Sequence, residues 1–235
     1  MNRVIFNPFT MVMLIILIGL FLIVLPLLFL SLIGTTFVKL GFTYHEVIFI
    51  LFLTLVGSFI NIPLRTIRGG PAHVREEEYS MFGMLYHIRE ITPKTTIAIN
   101  VGGAIIPISI SAYLIYNSII KLDPIIVPLA FIGVIIVSVI VKQVARPIRG
   151  LGIVTPFFIP PLAALACGLL LSTLTSETIA AAIIAYISGT LGTLLGADIA
   201  NLPRIKELGA PLVSIGGAGT FDGVFLSGII AAFLA

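Results

Sequence analysis

Long runs of apolar residues, separated by short polar segments, dominate this chain of 235 residues. A helix needs about 20 apolar residues to cross the hydrocarbon core of a bilayer, so each long run predicts one membrane span. The pattern therefore predicts an all-α integral membrane bundle in one domain, residues 1–235, with seven transmembrane helices. These helices cover residues 9–34, 43–63, 95–119, 124–141, 152–173, 177–201 and 211–235.

The composition of the chain agrees with a membrane environment. Hydrophobic residues make up 59% of the chain and charged residues only 10%, and the mean hydropathy is +1.21. Soluble domains carry about 25% charged residues, so this chain falls outside their class. We therefore expect a multi-pass protein of the cell membrane whose surroundings are the lipid bilayer.

The basic residues predict how the chain is oriented. If the N-terminus is cytoplasmic, only Lys39 and Lys121 lie outside, and the other eleven of the thirteen basic residues lie inside. Cytoplasmic loops of membrane proteins show this positive-inside bias. The net charge of +3 therefore reflects membrane topology, and we expect no nucleic-acid partner. The inside residues are Arg3, Arg65, Arg68, Arg75, Arg89, Lys94, Lys142, Arg146, Arg149, Arg204 and Lys206.

Two short signatures occur twice in the same order. The first copy reads Gly57-Ser58 and Asn61-Ile62-Pro63, followed by Asn100-Val101-Gly102-Gly103. The second copy reads Gly196-Ala197-Asp198 and Asn201-Leu202-Pro203, followed by Ser214-Ile215-Gly216-Gly217. Their offset of four predicted helices indicates a parallel duplication of a three-helix unit, arranged as three helices, one linking helix and three helices. Carriers built from repeats place their site between the repeats. The alternative interpretation is that common helix-packing and helix-end residues match by accident.

Only the second copy carries aspartates within predicted spans. Asp198 lies near the cytoplasmic end of the sixth span, and Asp222 lies ten or eleven residues into the seventh. At ~1.5 Å per residue Asp222 is about 15 Å deep, where an ionisable group normally faces a partner, a cavity or a pathway. Two carboxylates held close together separate into one base and one acid. Asp198 and Asp222 are therefore the predicted catalytic residues.

Polar and glycine residues of the two signatures predict a substrate or ion pathway near these aspartates. Pro156, Pro160 and Pro161 in the fifth predicted span remove backbone donors, so this part of the helix is expected to be kinked or unwound. Irregular backbone at membrane depth is tolerated only beside protein or a water-filled cavity. We therefore expect a polar cavity that opens towards the cytoplasm. The predicted pathway residues are Asn61, Asn100, Asn201, Gly216, Gly217, Gly219 and Thr220.

Small residues recur at a spacing of four in the last two predicted helices. Such stripes let helix backbones approach closely in a membrane. We therefore expect the sixth and seventh helices to pack tightly against each other, or against the second and third. The stripes are Ser188, Gly192 and Gly196 in the sixth helix, and Gly219, Gly223 and Ser227 in the seventh.

The segment 64–94 is the longest polar stretch and is predicted to be a cytoplasmic loop. Met81, Met84, Leu85 and Ile88 recur at helical spacing beside charged residues, which predicts an amphipathic helix on the membrane surface. Two histidine–glutamate pairs also have the spacing of metal ligands. We favour a solvated charged face for them, and we expect no metal and no other cofactor. The pairs are His73 with Glu77 and His87 with Glu90.

The second copy resembles a known family. Gly196-Ala197-Asp198 with Asn201-Leu202-Pro203, followed by the stretch from Gly216 to Gly223, is similar to the hallmark of a prokaryotic membrane family, the domain of unknown function sixteen-fourteen. This likeness covers the second to seventh predicted helices. More distantly, one aspartate in each of two neighbouring helices resembles the intramembrane aspartyl proteases of the presenilin, signal-peptide-peptidase and prepilin-peptidase group. The second resemblance implies that Asp198 and Asp222 cleave a membrane-embedded peptide.

Three classes of function remain open from the sequence. A membrane-embedded hydrolase, in particular an intramembrane aspartyl peptidase, requires both carboxylates near one water. A small transporter coupled to protons or cations would bind a small solute at the repeat interface and requires only one titrating carboxylate, Asp222. A non-catalytic membrane assembly factor requires neither. The distance between the carboxyl groups of Asp198 and Asp222 separates the first two classes.

Overall fold

The computed structural model of this chain describes residues 8–68, 78–81, 84–87, 94–148, 152–207, 212–217 and 223–235. Within these ranges the chain is mostly helical and contains seven α-helices, as the apolar runs predict. It also contains three small β-sheets. The all-α prediction is therefore correct for the bulk of the fold and wrong for the segments that join several of the helices.

The helices differ in length. Among the described residues, four helical stretches are long and apolar enough to cross a membrane: Met11–Lys39, Val101–Lys121, Ile126–Val144 and Ala180–Arg204. Their length and composition indicate a membrane protein. The α-helices themselves are α1 (Pro8–Lys39), α2 (Tyr44–Ser58), α3 (Ile106–Lys121), α4 (Ile126–Val144), α5 (Ile159–Ser172), α6 (Ala180–Thr193) and α7 (Gly223–Leu234).

Two π-helical segments and one 3-10 helix extend this set. The π-helical segment Val101–Ile105 leads directly into α3, and the π-helical segment Leu194–Asp198 continues α6. The 3-10 helix Ile199–Glu207 follows at once. π-Helical turns are rare and occur frequently at functional sites. Both π-helical segments fall on the duplicated signatures.

A three-stranded sheet occupies places where the sequence predicted helix. Its order is β1–β4–β7, with β1 antiparallel to β4 and β4 parallel to β7. Pro63 cannot donate a backbone hydrogen bond inside a helix, and the β-branched residues from Thr95 to Ile99 favour extended chain. Short apolar runs of this kind fit a strand as well as a helix. The strands are β1 (Asn61–Arg68), β2 (Glu78–Met81), β3 (Met84–His87), β4 (Lys94–Asn100), β5 (Arg146–Ile148), β6 (Gly152–Val154) and β7 (Leu212–Ile215).

The amphipathic helix predicted for segment 64–94 is wrong where the structure describes this segment. β2 and β3 form an antiparallel pair in which Met81 is the partner of Met84. Apolar residues at positions 81, 84 and 85 suit a hairpin as well as a helix. Ile88, and the pairs His73 with Glu77 and His87 with Glu90, include residues outside the described ranges.

The start of the fifth helix also differs from its prediction. Residues 152–154 belong to the hairpin of β5 and β6, and the helix begins only at Ile159. Pro160 and Pro161 therefore occupy the first turn of α5. Proline is well tolerated there because the missing N–H would have no partner within the helix. These prolines mark the beginning of a helix and do not kink it.

α6 forms the centre of the core. Tyr186 is fully buried, and its ring centroid lies 6.2 Å from that of Phe37 in α1. Gly189 packs against α7, where an added Cβ would lie 3.0 Å from the Cα of Gly228. α6 and α7 thus pack closely, as predicted.

The small-residue stripe of α6, however, faces α4. Ser188 packs against Gly133, and a Cβ on Gly192 would lie 2.7 Å from Val137. Gly196 lies against Ser138 in the same way. The stripe therefore predicts close backbone contact correctly but is assigned to the wrong neighbour. Of the stripe predicted for the seventh helix, Gly219 lies outside the described residues.

The two halves share one local pattern. β4 leads through Gly102 and Gly103 into α3, and β7 leads through Gly216 and Gly217 towards α7. The two strands are parallel neighbours, which is the relation expected for copies that point the same way. Superposition of the two three-helix units remains a prediction.

Candidate functional site

A cavity of about 120 Å³ lies where the two copies of the signature meet. Its wall combines the end of α2, the start of β1, the π-helical segment before α3, the turn after β7, and α7. Four of the seven predicted pathway residues line it: Asn61, Asn100, Gly216 and Gly217. The remaining lining residues are Thr54, Leu55, Ser58, Gly102, Gly103 and Phe225.

Asn100 organises this cavity. It is the last residue of β4 and the N-cap of the π-helical segment, and only 3% of its surface is exposed. Its Oδ1 accepts a hydrogen bond from the N–H of Gly103 at 2.8 Å. Its Nδ2 donates to Ser58 O at 2.8 Å and to Asn61 Oδ1 at 3.1 Å. Asparagine is favoured at an N-cap because its side-chain oxygen satisfies a helix N–H that lacks an internal partner.

The same network orients Asn61, which is the cross-strand partner of Asn100. The N–H of Gly103 can only donate, so the oxygen of Asn100 faces it and the Nδ2 of Asn100 faces Asn61. The oxygen of Asn61 therefore accepts, and it also accepts from Ser214 Oγ at 2.5 Å. Its Nδ2 makes no hydrogen bond within the described part of the chain. Asn61 thus presents a donor at the exposed side of the cavity.

Glycine backbones form much of the remaining wall. Gly102 lies directly against the backbone of α2, where an added Cβ would be 2.5 Å from Ser58 N. Gly216 has a φ of +69°, and an added Cβ there would be 2.7 Å from the carbonyl carbon of Gly103. Only a residue without a side chain permits these approaches. The glycines therefore bring α2, the π-helical segment and the turn after β7 together at one point.

Asp198 stands next to the cavity without lining it. It is half-buried at the end of the second π-helical segment, and its Oδ2 accepts a hydrogen bond from Gly216 N at 2.7 Å. Gly216 does line the cavity. The carboxylate therefore holds the turn that follows β7 and acts on the cavity through that turn.

Asn201 has a different position from the one predicted. It is buried, and its Nδ2 donates to Gly196 O at 3.1 Å and to Ala197 O at 2.9 Å. These carbonyls belong to the π-helical segment that continues α6, so Asn201 closes the end of that segment. Within the described residues it does not line the cavity.

Three predicted site residues, Gly219, Thr220 and Asp222, lie outside the described residues. The catalytic pairing of Asp198 with Asp222 therefore stays a prediction. Pro156, Pro160 and Pro161 are not among the described residues that line this cavity, and the cavity predicted beside them stays a prediction.

The prediction from sequence did not include Thr54, Leu55 and Phe225 among the site residues. Thr54 Oγ1 is buried and has no hydrogen-bond partner within the described residues. Its signal in the sequence is weak, because a single threonine in an apolar helix is common. Ser58, Gly102 and Gly103 could have been found, since they belong to the first signature or lie directly beside it.

The chemistry of the site follows from these groups. Every described lining residue is uncharged, so the cavity offers amide, hydroxyl and backbone groups that can bind a neutral polar group by hydrogen bonds. Within the described ranges no three His, Cys, Asp or Glu side chains lie close enough together to hold a metal ion. Among the described carboxylates, Asp198 contacts a lining residue, Gly216.

Comparison with known proteins places the chain in a family. No curated protein and no solved structure matches it. The family model described as "Protein of unknown function (DUF1614)" matches residues 55–234. This match covers more than half of the chain and includes both copies of the signature together with every described residue of the cavity except Thr54. The chain therefore belongs to the DUF1614 family of proteins of unknown function.

Proposed function

We propose that this protein is a small membrane transporter whose binding site is the cavity between the two signatures. The observation that carries the proposal is the convergence of Asn61, Asn100, Gly102 and Gly216 on one cavity that has both polar and apolar walls. In transporters built from repeats, the site lies at the repeat interface and is formed where helices are interrupted. Here the signatures fall on strands, π-helical segments and a 3-10 helix that adjoin the ends of the α-helices.

The lining favours a solute with a small neutral polar group. A full charge buried among uncharged groups is costly unless it is paired, and the described lining provides no charged side chain. The cavity of about 120 Å³ exceeds the share of one water molecule, about 30 Å³, several times over. A polar group of a few heavy atoms fits this space. Coupling of transport to protons or cations would use Asp222, the deepest carboxylate predicted from the sequence.

We expect Asn61→Ala to weaken the apparent affinity for the transported solute by about 3- to 10-fold, because one hydrogen-bond donor is lost. The measurement is uptake into proteoliposomes under an imposed pH gradient, screened over small neutral and zwitterionic solutes. Asn117→Ala is the matched control, since Asn117 lies in α3 and does not line the cavity. Uptake no faster than in empty liposomes for every solute, or an unchanged affinity in Asn61→Ala, would contradict the proposal.

An aspartyl hydrolase is the second candidate, and the position of Asp198 favours it. Its carboxylate holds Gly216, and Asp222 follows Gly216 by six residues. In such an enzyme one carboxylate removes a proton from water while the water oxygen attacks the peptide carbonyl. The other carboxyl group gives its proton to the leaving amine as the C–N bond breaks. The substrate would be a membrane-embedded peptide.

Variants of the two aspartates distinguish these candidates. For a hydrolase we expect Asp198→Asn and Asp222→Asn each to lower cleavage of a helical membrane peptide by at least about 100-fold, because a base or an acid is lost. For a proton-coupled transporter we expect Asp222→Asn alone to abolish coupled uptake. The fold should survive Asp198→Asn, since the amide oxygen can still accept from Gly216 N. Asp123→Asn is the control, because Asp123 bonds Thr175 in a different turn.

Cleavage that persists in either aspartate variant would exclude the hydrolase. If the purified protein shows neither cleavage nor uptake, the third class, a non-catalytic membrane assembly factor, becomes the better account.

A further inference from the structure

We infer that the solute of this site is an amphiphile, a molecule with a small polar head and an alkyl chain, which enters the cavity sideways from the bilayer. This inference rests on the proposed transport function and names its substrate class. The observation behind it is that Leu55 belongs to two surfaces at once. It lines the cavity, and 46% of its side chain is exposed on the outside of α2.

The exposed side of α2 is an apolar stripe. Ile48, Phe52 and Leu55 follow one another at intervals of four and three residues, which places them on one face of the helix. All three are strongly exposed, while Val47, Thr54 and Gly57 form the buried face. In a bilayer such an exposed apolar stripe is covered by lipid. Leu55 is its last member, so the cavity meets the lipid at Leu55.

The position of this opening near one end of α2 suits a molecule that lies in one leaflet of the bilayer. Leu55 is three residues before Ser58, the end of α2, a distance of about 4.5 Å along the helix. The opening thus lies at the end of α2, where the polar groups of Ser58 and Asn61 adjoin the exposed apolar side chain of Leu55. A membrane-dissolved amphiphile would have its head at the level of Asn61 and its chain at the level of Leu55.

The cavity likewise has a polar part and an apolar part. Asn61 lies at the sheet end, where its Nδ2 makes no hydrogen bond within the described residues. Phe225, which is fully buried, contributes an apolar wall. A space of about 120 Å³ admits the polar head and not a long chain. The chain must therefore remain outside, beside Leu55 and the lipid.

The chain contains no tryptophan, so Leu55→Trp introduces a single fluorescent reporter at the opening. In reconstituted protein we expect its emission to be quenched both by brominated phospholipid and by aqueous acrylamide, because the side chain faces lipid and a polar cavity. Phe52→Trp, one turn earlier on the same stripe, should be quenched by brominated phospholipid alone. Quenching of both reporters by lipid alone, or of Leu55→Trp by acrylamide alone, would overturn the sideways opening. An unchanged melting temperature shows that each variant is folded.

The class of solute is tested on the Leu55→Trp variant. We expect octanamide, an amide head on an alkyl chain, to lower acrylamide quenching of Leu55→Trp several-fold, whereas acetamide at equal concentration should have little effect. No effect of octanamide, or an equal effect of acetamide, would overturn the amphiphile assignment. These measurements require no transport. A failure to observe uptake would therefore count against the proposed transport function alone. A cavity that does not open to the lipid at Leu55 would count against this inference alone.

Discussion

Replacing Gly102 by alanine is expected to destabilise the protein by about 3 kcal/mol, the upper part of the usual range for overpacking in a core. The added methyl group would overlap the carbonyl oxygen of Thr54 and lie 2.5 Å from Ser58 N and 2.9 Å from the carbonyl carbon of Gly57. All three are backbone atoms of α2, so no side chain can rotate away to make room. Either α2 or the π-helical segment must move.

This shift of α2 or of the π-helical segment would also change the shape of the cavity. Gly102, Thr54 and Ser58 line the cavity, so a shift of α2 separates Ser58 O from Asn100 Nδ2. Thermal and denaturant unfolding in micelles measures the loss of stability. Gly19→Ala is the matched control, because no atom lies within 4 Å of an added Cβ at Gly19. Equal melting temperatures for the two variants would show that α2 does not pack on Gly102 as described.

The sequence identifies several residues that line this cavity but not the elements that carry them. Asn61 and Asn100 were identified because they stand in duplicated signatures, and the structure brings them into contact. The strands that carry them were predicted as helix, since an apolar run gives the same signal in a buried strand and in a membrane span. Only the pairing between β1, β4 and β7 decides between the two. That pairing depends on residues far apart in the chain.

The two asparagine–proline signatures show where pattern matching fails. Asn61 begins a strand and bridges to Ser214, whereas Asn201 lies in a 3-10 helix and bonds carbonyls of the preceding segment. The residues that follow explain the difference. Thr66 and Ile67 after the first signature are β-branched and favour a strand, while charged residues of lower strand propensity, Lys206 and Glu207, follow the second. Equal motifs therefore acquired different contacts.

The small-residue stripe of α6 illustrates a second limit. Such a stripe indicates that another backbone approaches closely, but it carries no information about which one. Ser188 and Gly192 turn out to face α4, while Gly189, on another side of the same helix, faces α7. Small residues on several sides of α6 allow neighbours on several sides. Which helix packs against which side of α6 depends on the arrangement of all the helices in the bundle.

Asn100→Ala is expected to lower both the free energy of unfolding and the affinity for the solute, whereas Asn61→Ala is expected to lower mainly the affinity. The substitution removes three hydrogen bonds and leaves the N–H of Gly103 and the carbonyl of Ser58 without their partner. A buried group that loses its partner costs about 1–3 kcal/mol, so the two groups together are expected to cost about 2–6 kcal/mol. Asn61 is exposed, and its removal should cost about 1 kcal/mol or less while still weakening solute binding.

Unfolding of purified variants in micelles, followed by uptake in proteoliposomes, tests this contrast. Asn117→Ala again serves as the control for loss of an asparagine that does not line the cavity. Asn100→Asp adds a sharper comparison, because its carboxylate can still accept from Gly103 N but can no longer donate to Ser58 O. We expect it to be less stable than the wild type as well, since a charge would also be buried. If Asn100→Ala were as stable as Asn117→Ala, the hydrogen bonds of Asn100 would not hold α2, β1 and the π-helical segment together, and the cavity would lose its structural basis.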